Sequence, residues 1–523
     1  MSFLVAIVST SIVLCAAVLL CFGDSDRGIP NIDILIYSIV ARMWQEGLLP
    51  YRDIVDHKPP MVYLFIRACF SLGGLGGEGI WRGFHILSAL AGISLFLGFR
   101  SLGLYPAGLV CCAAYLFFFW GDPLEFKVTS FLNAEQISSL WLAFSFGFIL
   151  IYTAKLRSIW AFLSGGAFAL AVASKQPAAP FIIPVIGQIL YANLIRHHHT
   201  FKRALFGPLV FVLGCITPLF FIALYFWWHN AFNNLWYWIY TANLNYADVR
   251  LQSLSARLKV LGEHIRLLQP HLLHSWAIPY CSGLILTVVL FFIRRAWIDL
   301  IAILWLLAGI LSLALNVHFA DHYFIFFQVP LAISCSALAH VFLLDSFWIK
   351  HSSKFGRALA CGVTIGFLIY YSSRITDQLK RGARFFGESA EKPVLQRQFE
   401  EIAVKLKDLV GPNDRVLFYG PEPQIILYTG FKPAARYFYT LNAKLVVGEE
   451  GGFRRDFMAD VLAAKPPIAF ISQFYPAIYD SSKDSLHGDI ARYLDSNYVP
   501  LIDNYGGRFF VRKDLQPSVP VLN

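Results

Sequence analysis

Charge is what this sequence has least of. Only 15% of its 523 residues are Asp, Glu, Lys or Arg, against 57% hydrophobic. A soluble domain carries about 25% charged residues, so an ordinary soluble enzyme is excluded, as are disordered and collagen-like chains. Usable cysteine chemistry is missing as well. The nine cysteines all lie in or beside apolar runs, where cysteine behaves as a small hydrophobe. None follows Cys361, so the polar C-terminal stretch has no disulfide frame, and no CxxC pair offers a metal or redox site. That stretch also has no Gly-rich phosphate loop and no obvious nucleophile, and no internal repeat runs through the chain.

What is present is a series of apolar runs on the scale of a bilayer crossing, about 20 residues. They fall at 2–22, 80–99, 104–120, 134–153, 158–174, 177–194, 204–228, 277–293, 297–316, 322–344 and 357–373. Aromatics reach 16%, which suits belts at the membrane–water interfaces. The first run has neither a basic leader nor a small-residue cleavage site and is expected to stay as an anchor. The run 61–72, between Pro59-Pro60 and Gly73-Gly74 and carrying Arg67, is short for a span and is expected to form an interfacial or re-entrant helix.

With eleven spans and an inward N-terminus, the inner loops collect Arg100, Lys155, Arg157, Arg196, Lys202, Arg203, Arg294, Arg295, Lys350, Lys354 and Arg357, with Asp345 nearly the only acid. This is the positive-inside pattern; counting 61–72 as a span would reverse it. Residues 23–79, 121–133, 229–276 and the tail then face outward. In the loop 229–276, Trp236, Tyr237, Trp238 and Tyr240 precede an amphipathic stretch 252–268 that fits a helix lying in the interface. The expected architecture is an all-α polytopic membrane domain, residues 1–373, followed by a small soluble α/β domain, residues 374–523. The tail shows helix-like stretches at 393–410 and 453–464 and strand-like ones at 415–419, 467–472 and 508–512.

The chemistry-bearing residues gather at the outward ends of the spans. Asp33 stands in a largely apolar stretch at the membrane surface, as a poorly solvated carboxylate that fits a general base or a helix cap. Lys58, just before Pro59-Pro60, places an ammonium at headgroup level, as a phosphate clamp or as a snorkelling lysine. Arg82, Glu135 in Asn133-Ala-Glu135 and Lys175 in Ser174-Lys-Gln-Pro177 belong to the same outer level. His318, Asp321 and His322 are spaced too loosely to favour a metal site, and a hydrogen-bonding role for His322 and Tyr323 is preferred.

These residues carry a resemblance. Asp33 with Tyr37, Gly47, Pro50-Tyr-Arg-Asp53, Asp56-His-Lys-Pro-Pro60, Arg82, Asn133-Ala-Glu135, Ser174-Lys-Gln-Pro177 and His322-Tyr323 with Pro330 resemble the membrane-embedded GT-C glycosyltransferases of the dolichyl-phosphate-mannose protein mannosyltransferase and aminoarabinose lipid A transferase type. The resemblance implies a sugar donor on a polyprenyl phosphate. Asp33 would activate the acceptor, Glu135 would match the second outer acidic position, and Lys58, Arg82 and Lys175 would bind the donor phosphate. Transfer would invert the anomeric carbon. Many relatives have Asp-Glu where this chain has Asp33-Ile34, and Asp where it has Glu135. Tyr37, His322 and Tyr323 are counted with the substrate-binding set.

The implied protein is a multi-pass enzyme of the inner or plasma membrane, its N-terminus cytoplasmic and its C-terminal domain extracytoplasmic. It would take a lipid, polysaccharide or protein acceptor, bind no nucleic acid and use no cofactor; a divalent metal stays open. A polytopic secondary transporter and a non-catalytic envelope assembly protein with the same fold remain alternatives. If the outer level is real, cysteines introduced by Lys58→Cys and Lys175→Cys will react with a membrane-impermeant maleimide from the same side of sealed vesicles. Labelling from opposite sides would separate the two cations.

Overall fold

The computed structural model describes residues 32–75, 77–120, 132–246, 296–315, 321–344, 394–420, 423–439, 452–472, 484–504 and 507–518, with isolated positions between 253 and 292. The expected spans 2–22 and 357–373 lie outside the described residues, as do most of 277–293 and of the amphipathic stretch 252–268. The chain divides into two compact units. One comprises residues 1–26, 80–224 and 250–389; the other comprises 27–79, 225–249 and 390–523.

The first unit is helical. Among the described residues five helical segments are long and apolar enough to cross a membrane: Gly77–Ser101, Ala134–Lys155, Gln176–Arg196, Phe201–Trp228 and Trp297–Ala314. Shorter apolar helices at Tyr105–Trp120, Ser158–Val172 and Gln328–Leu344 accompany them. Two of the expected runs are not uniform helices. The run 177–194 opens as a 3-10 turn, Gln176–Phe181, and becomes α-helical only from Ile182. Pro177 and Pro180 supply no backbone N–H to an α-helical ladder. Likewise Asp321–Phe327 is a 3-10 turn, and the helix proper starts at Gln328.

Helices Ala134–Lys155 and Ser158–Val172 form an antiparallel hairpin closed by Leu156 at φ 49°. Ser164 Oγ donates to the Ser145 carbonyl across the hairpin at 2.9 Å and lies 3.0 Å from Ser145 Oγ. Helix Ser158–Val172 also meets Phe206–Trp228 backbone to backbone. Gly165 lies against the Phe211 carbonyl and Gly214 against the Phe162 carbonyl, so a Cβ at either would collide. Lipid tails are as apolar as leucine, so helices in a bilayer are held by close van der Waals contact and buried hydrogen bonds, which small residues permit. The outer side of Phe206–Trp228 leaves Leu209, Ile216 and Phe220 exposed, as expected of a lipid-facing surface.

The second unit is mixed. Helix Ile32–Gln45 packs on Pro60–Phe70, whose entry is set by Pro60 at its first turn. A helical stretch from Phe232 to Tyr246 buries Trp238 edge-on to Tyr437, with ring centroids 6.1 Å apart, and leaves Trp236, Tyr237 and Tyr240 exposed. The C-terminal segment builds a five-stranded sheet from β1 (Arg415–Tyr419), β2 (Lys432–Pro433), β3 (Ile468–Ser472), β4 (Tyr498–Asn504) and β5 (Gly507–Arg512), in the order β2-β1-β3-β5-β4. The β1 pairings are parallel; β3–β5 and β4–β5 are antiparallel. Helices Val394–Leu406, Gln424–Thr429, Arg454–Ala464 and Leu486–Asn497 complete an α/β fold.

Gly165→Leu will lower the thermal stability of the detergent-solubilised protein, because a side chain there forces the two helices apart. Overpacking of this kind costs about 1–3 kcal/mol.

Candidate functional site

In the helical unit, the hairpin brings two of the singled-out residues together. Glu135 lies in the first turn of Ala134–Lys155 and Lys175 just beyond the end of Ser158–Val172. Because the helices are antiparallel, both fall at one end of the hairpin. Each charge also suits its helix terminus, acid at the N-terminus and base at the C-terminus. Lys175 Nζ is 2.7 Å from Glu135 Oε1, and both side chains are almost fully buried. The ammonium stands 5.0 Å from the centroid of the Tyr323 ring, in cation–π range. Nearby, the Asn133 N–H donates to Gln136 Oε1 at 2.7 Å and fixes the entry to the helix. Gln328 links the hairpin to helix Tyr105–Trp120, accepting from Ser139 Oγ at 2.9 Å and donating to the Tyr115 carbonyl at 3.1 Å. Arg82 is half-buried in the second turn of Gly77–Ser101. The His322 side chain lies outside the described residues.

In the second unit, the segment between helices Ile32–Gln45 and Pro60–Phe70 is tightly organised. Tyr51 adopts φ +70°, an uncommon region for a residue with a side chain. Its N–H donates to the Ile54 carbonyl at 2.8 Å and its hydroxyl to the Lys58 carbonyl at 2.7 Å. Asp53 Oδ2 accepts from the Leu49 N–H at 2.9 Å. Asp56 is buried. It accepts from the Tyr63 hydroxyl at 2.7 Å, and its other oxygen is 3.2 Å from His57 Nδ1. The second ring nitrogen of His57 is 2.7 Å from Lys58 Nζ. A charged Lys58 donates to that nitrogen, which leaves Nδ1–H to face Asp56. Carboxylate, imidazole and ammonium therefore form one chain. Asn243 Nδ2 donates to the His57 carbonyl at 2.7 Å from a segment far along the sequence.

Burial alone would raise the Asp56 pKa, but the His57 hydrogen bond, the Lys58 charge and the Tyr63 hydroxyl outweigh it and bring it down to about 2. For Asp53, burial is again outweighed, by the Arg52 and Leu49 hydrogen bonds and the charges of Arg52 and Arg415, so its carboxyl is also held low. Tyr51 is pushed well above the phenol range by burial and by the Asp56 charge. Asp33 sits half-buried in the first turn of Ile32–Gln45. Tyr37, on the same helix, is buried with its ring edge-on to Tyr63, centroids 6.1 Å apart. Sequence reasoning did not single out Tyr63, Asn243 or Gln328; each lies in an unremarkable stretch, and only its partner marks it. Among the described residues no three His, Cys, Asp or Glu side chains cluster as metal ligands do.

The fold is shared with known membrane enzymes. It is similar to ArnT from Cupriavidus metallidurans, with a TM-score of 0.55 and 13% identity to the apo structure over 97% of this chain and 98% of that one. For ArnT bound to undecaprenyl phosphate the TM-score is 0.54 with 15% identity, over 97% and 98%. It is also similar to the Archaeoglobus fulgidus oligosaccharyltransferase tethered with an acceptor peptide, with a TM-score of 0.52 and 12% identity over 98% of this chain and 75% of that one. No curated protein sequence matches the chain. Together with the apolar helices, these likenesses define the class: a multi-pass membrane protein with the GT-C fold.

More particularly, residues 57–228 match the family of dolichyl-phosphate-mannose-protein mannosyltransferases. The chain is thus similar to the GT-C glycosyltransferases of the mannosyltransferase and ArnT type, as its motifs indicate.

Asp56 gives this site a pH signature. With its folded pKa lowered, the ionised carboxylate contributes its full stabilisation above about pH 4, the unfolded range. That contribution is lost as pH falls through about 2. Asp56→Asn will remove about 2 kcal/mol at neutral pH and flatten the pH dependence of thermal unfolding between about pH 4 and 2. Equal acid sensitivity in the two proteins would show that Asp56 is not the group responsible.

Proposed function

We propose that this chain is an integral membrane glycosyltransferase that moves a sugar from a polyprenyl-phosphate donor to an acceptor on the extracytoplasmic face, with inversion at the anomeric carbon. The observation that carries this reading is the extent of the family match. Residues 57–228 include Lys58, Arg82, Glu135 and Lys175, all of which are half-buried or buried rather than solvated. ArnT, whose fold the chain shares, has been crystallised with undecaprenyl phosphate.

In the proposed reaction the acceptor oxygen or nitrogen attacks the anomeric carbon and the bond from that carbon to the phosphate oxygen breaks. The acceptor proton passes to the Asp33 carboxylate, and the electron pair leaves with polyprenyl phosphate. The leaving group is already an acidic phosphate and needs little protonation, so stabilising its growing negative charge does most of the work. Lys58, Arg82 and Lys175 are assigned that role. Glu135 holds Lys175 in place through the 2.7 Å ion pair, and Tyr323 fixes the direction of the ammonium from its ring face. A long isoprenoid chain cannot leave hydrocarbon cheaply, so the donor enters from within the bilayer.

Purified protein supplied with polyprenyl-phosphate sugars and a membrane extract as acceptor will release polyprenyl phosphate. Asp33→Asn will slow turnover by about 10²–10⁴-fold, the usual worth of a general base. Lys175→Ala will slow it by about 10²–10³-fold, the scale of one lost electrostatic contact. Full turnover by both variants would overturn the assignment. Comparison of lipid-linked glycans between a deletion strain and its parent then identifies donor and acceptor together.

A further inference from the structure

A second charged site lies in the unit that carries the C-terminal sheet. A cavity of about 350 Å³ is lined by Arg52, Asp53, Arg415, Arg436 and Asp460, with alanines of helix Arg454–Ala464 forming one wall. Its volume falls within the ~300–1,000 Å³ of small-molecule sites. Three guanidiniums share this wall with two carboxylates. Arg436 is committed to Asp460, Nε to Oδ2 at 2.7 Å and Nη2 to Oδ1 at 2.6 Å. Arg52 is committed to Asp53 at 2.9 and 2.8 Å, and its Nη1 donates to the His229 carbonyl at 3.1 Å.

Arg415 differs. Among the described residues it has no ion pair, and its one hydrogen bond runs from Nη1 to the Pro433 carbonyl at 3.3 Å. As the first residue of β1 it is held by the sheet, and among the described residues its Nε and Nη2 donors meet no acceptor. Three guanidiniums against two carboxylates give the cavity lining one net positive charge; the Arg415 charge acts on Asp53 from a distance, and its planar fork has the geometry that matches a carboxylate or phosphate. The Asp53 and Asp460 carboxylates beside it are acceptors suited to hydroxyl groups.

We propose that this cavity binds an anionic sugar, a carboxylate- or phosphate-bearing monosaccharide unit, through Arg415. It serves as the recognition subsite for the acceptor. The acceptor role rests on the transferase reading; the binding itself does not. The Val55 N–H donates to the Arg436 carbonyl at 2.9 Å. The cavity wall is therefore tied directly to the segment that carries Asp56, His57 and Lys58.

The test is titration calorimetry on the full chain in detergent, with no polyprenyl donor present, using glucuronate, glucose 6-phosphate, inorganic phosphate and glucose as probes. Glucuronate or glucose 6-phosphate will bind and glucose will not. Arg415→Ala will weaken binding by about tenfold or more, the worth of a charged hydrogen bond, and Arg415→Lys will restore part of it. Ala463 is exposed on the cavity wall, so Ala463→Trp will block binding without touching a charge.

Unchanged affinity in Arg415→Ala, or no binding of either anionic sugar, would overturn the site. Glucose binding as well as glucuronate would overturn its charge selectivity, and inorganic phosphate binding as tightly as glucose 6-phosphate would overturn its sugar selectivity. No transfer by the unmodified protein, with glucuronate binding intact, counts against the transferase reading alone. Intact transfer without binding counts against this subsite alone.

Discussion

A charge removed from water must find an opposite charge, lose its proton or stay out of the fold. In a chain with so few charges, each one that is buried constrains what surrounds it. The Glu135–Lys175 pair is the clearest case. Glu135 opens one helix and Lys175 follows the end of the next, so their 2.7 Å contact fits an antiparallel hairpin in one rotational register. The desolvation of both ions is offset only by close geometry and by further partners such as the Tyr323 ring. Removing either member would leave the other buried and uncompensated, which is costlier than never having placed the pair there. Such a pair adds little net stability, and its geometry ties the two helix ends to one another.

The same rule organises the segment after helix Ile32–Gln45. Asp56, His57 and Lys58 are consecutive in sequence, yet they act as a chain only because Tyr51, Tyr63 and Asn243 hold the backbone and the carboxylate around them. Tyr51 at φ +70° is tolerated because its hydroxyl and N–H are both engaged, so the strain of an uncommon backbone region is offset by its surroundings. Ties from elsewhere in the chain add to this. Trp44 Nε1 donates to the Tyr225 hydroxyl at 2.8 Å, and Arg42 donates to the Leu427 carbonyl. The result is a loop that behaves as part of a folded unit.

Much of the helical framework was legible beforehand. The runs 80–99, 134–153, 158–174 and 297–316 correspond to helices Gly77–Ser101, Ala134–Lys155, Ser158–Val172 and Trp297–Leu315, because hydropathy over a bilayer's thickness is a strong signal. Strands β1, β3 and β5 were legible from short apolar runs. β2 was not, since two residues leave no periodicity, and β4 was not, since Pro500 interrupts the pattern. The proline-rich start at Gln176–Phe181 was read as ordinary helix because the window averages over it. Glu135 and Lys175 were picked out from their places at helix ends, but their contact was not.

The sequence by itself determined which stretches seek hydrocarbon, which helix ends carry charge, and a family likeness written in short motifs. These are local properties, set by composition and spacing over a few turns. Only the tertiary structure decided that Lys175 is paired with Glu135 over a tyrosine ring, that Asn243 braces His57, and that residues 27–79 and 225–249 fold with the C-terminal sheet. Those outcomes depend on closing loops of tens to hundreds of residues. Nothing in a local pattern records which distant partner satisfies a buried polar group.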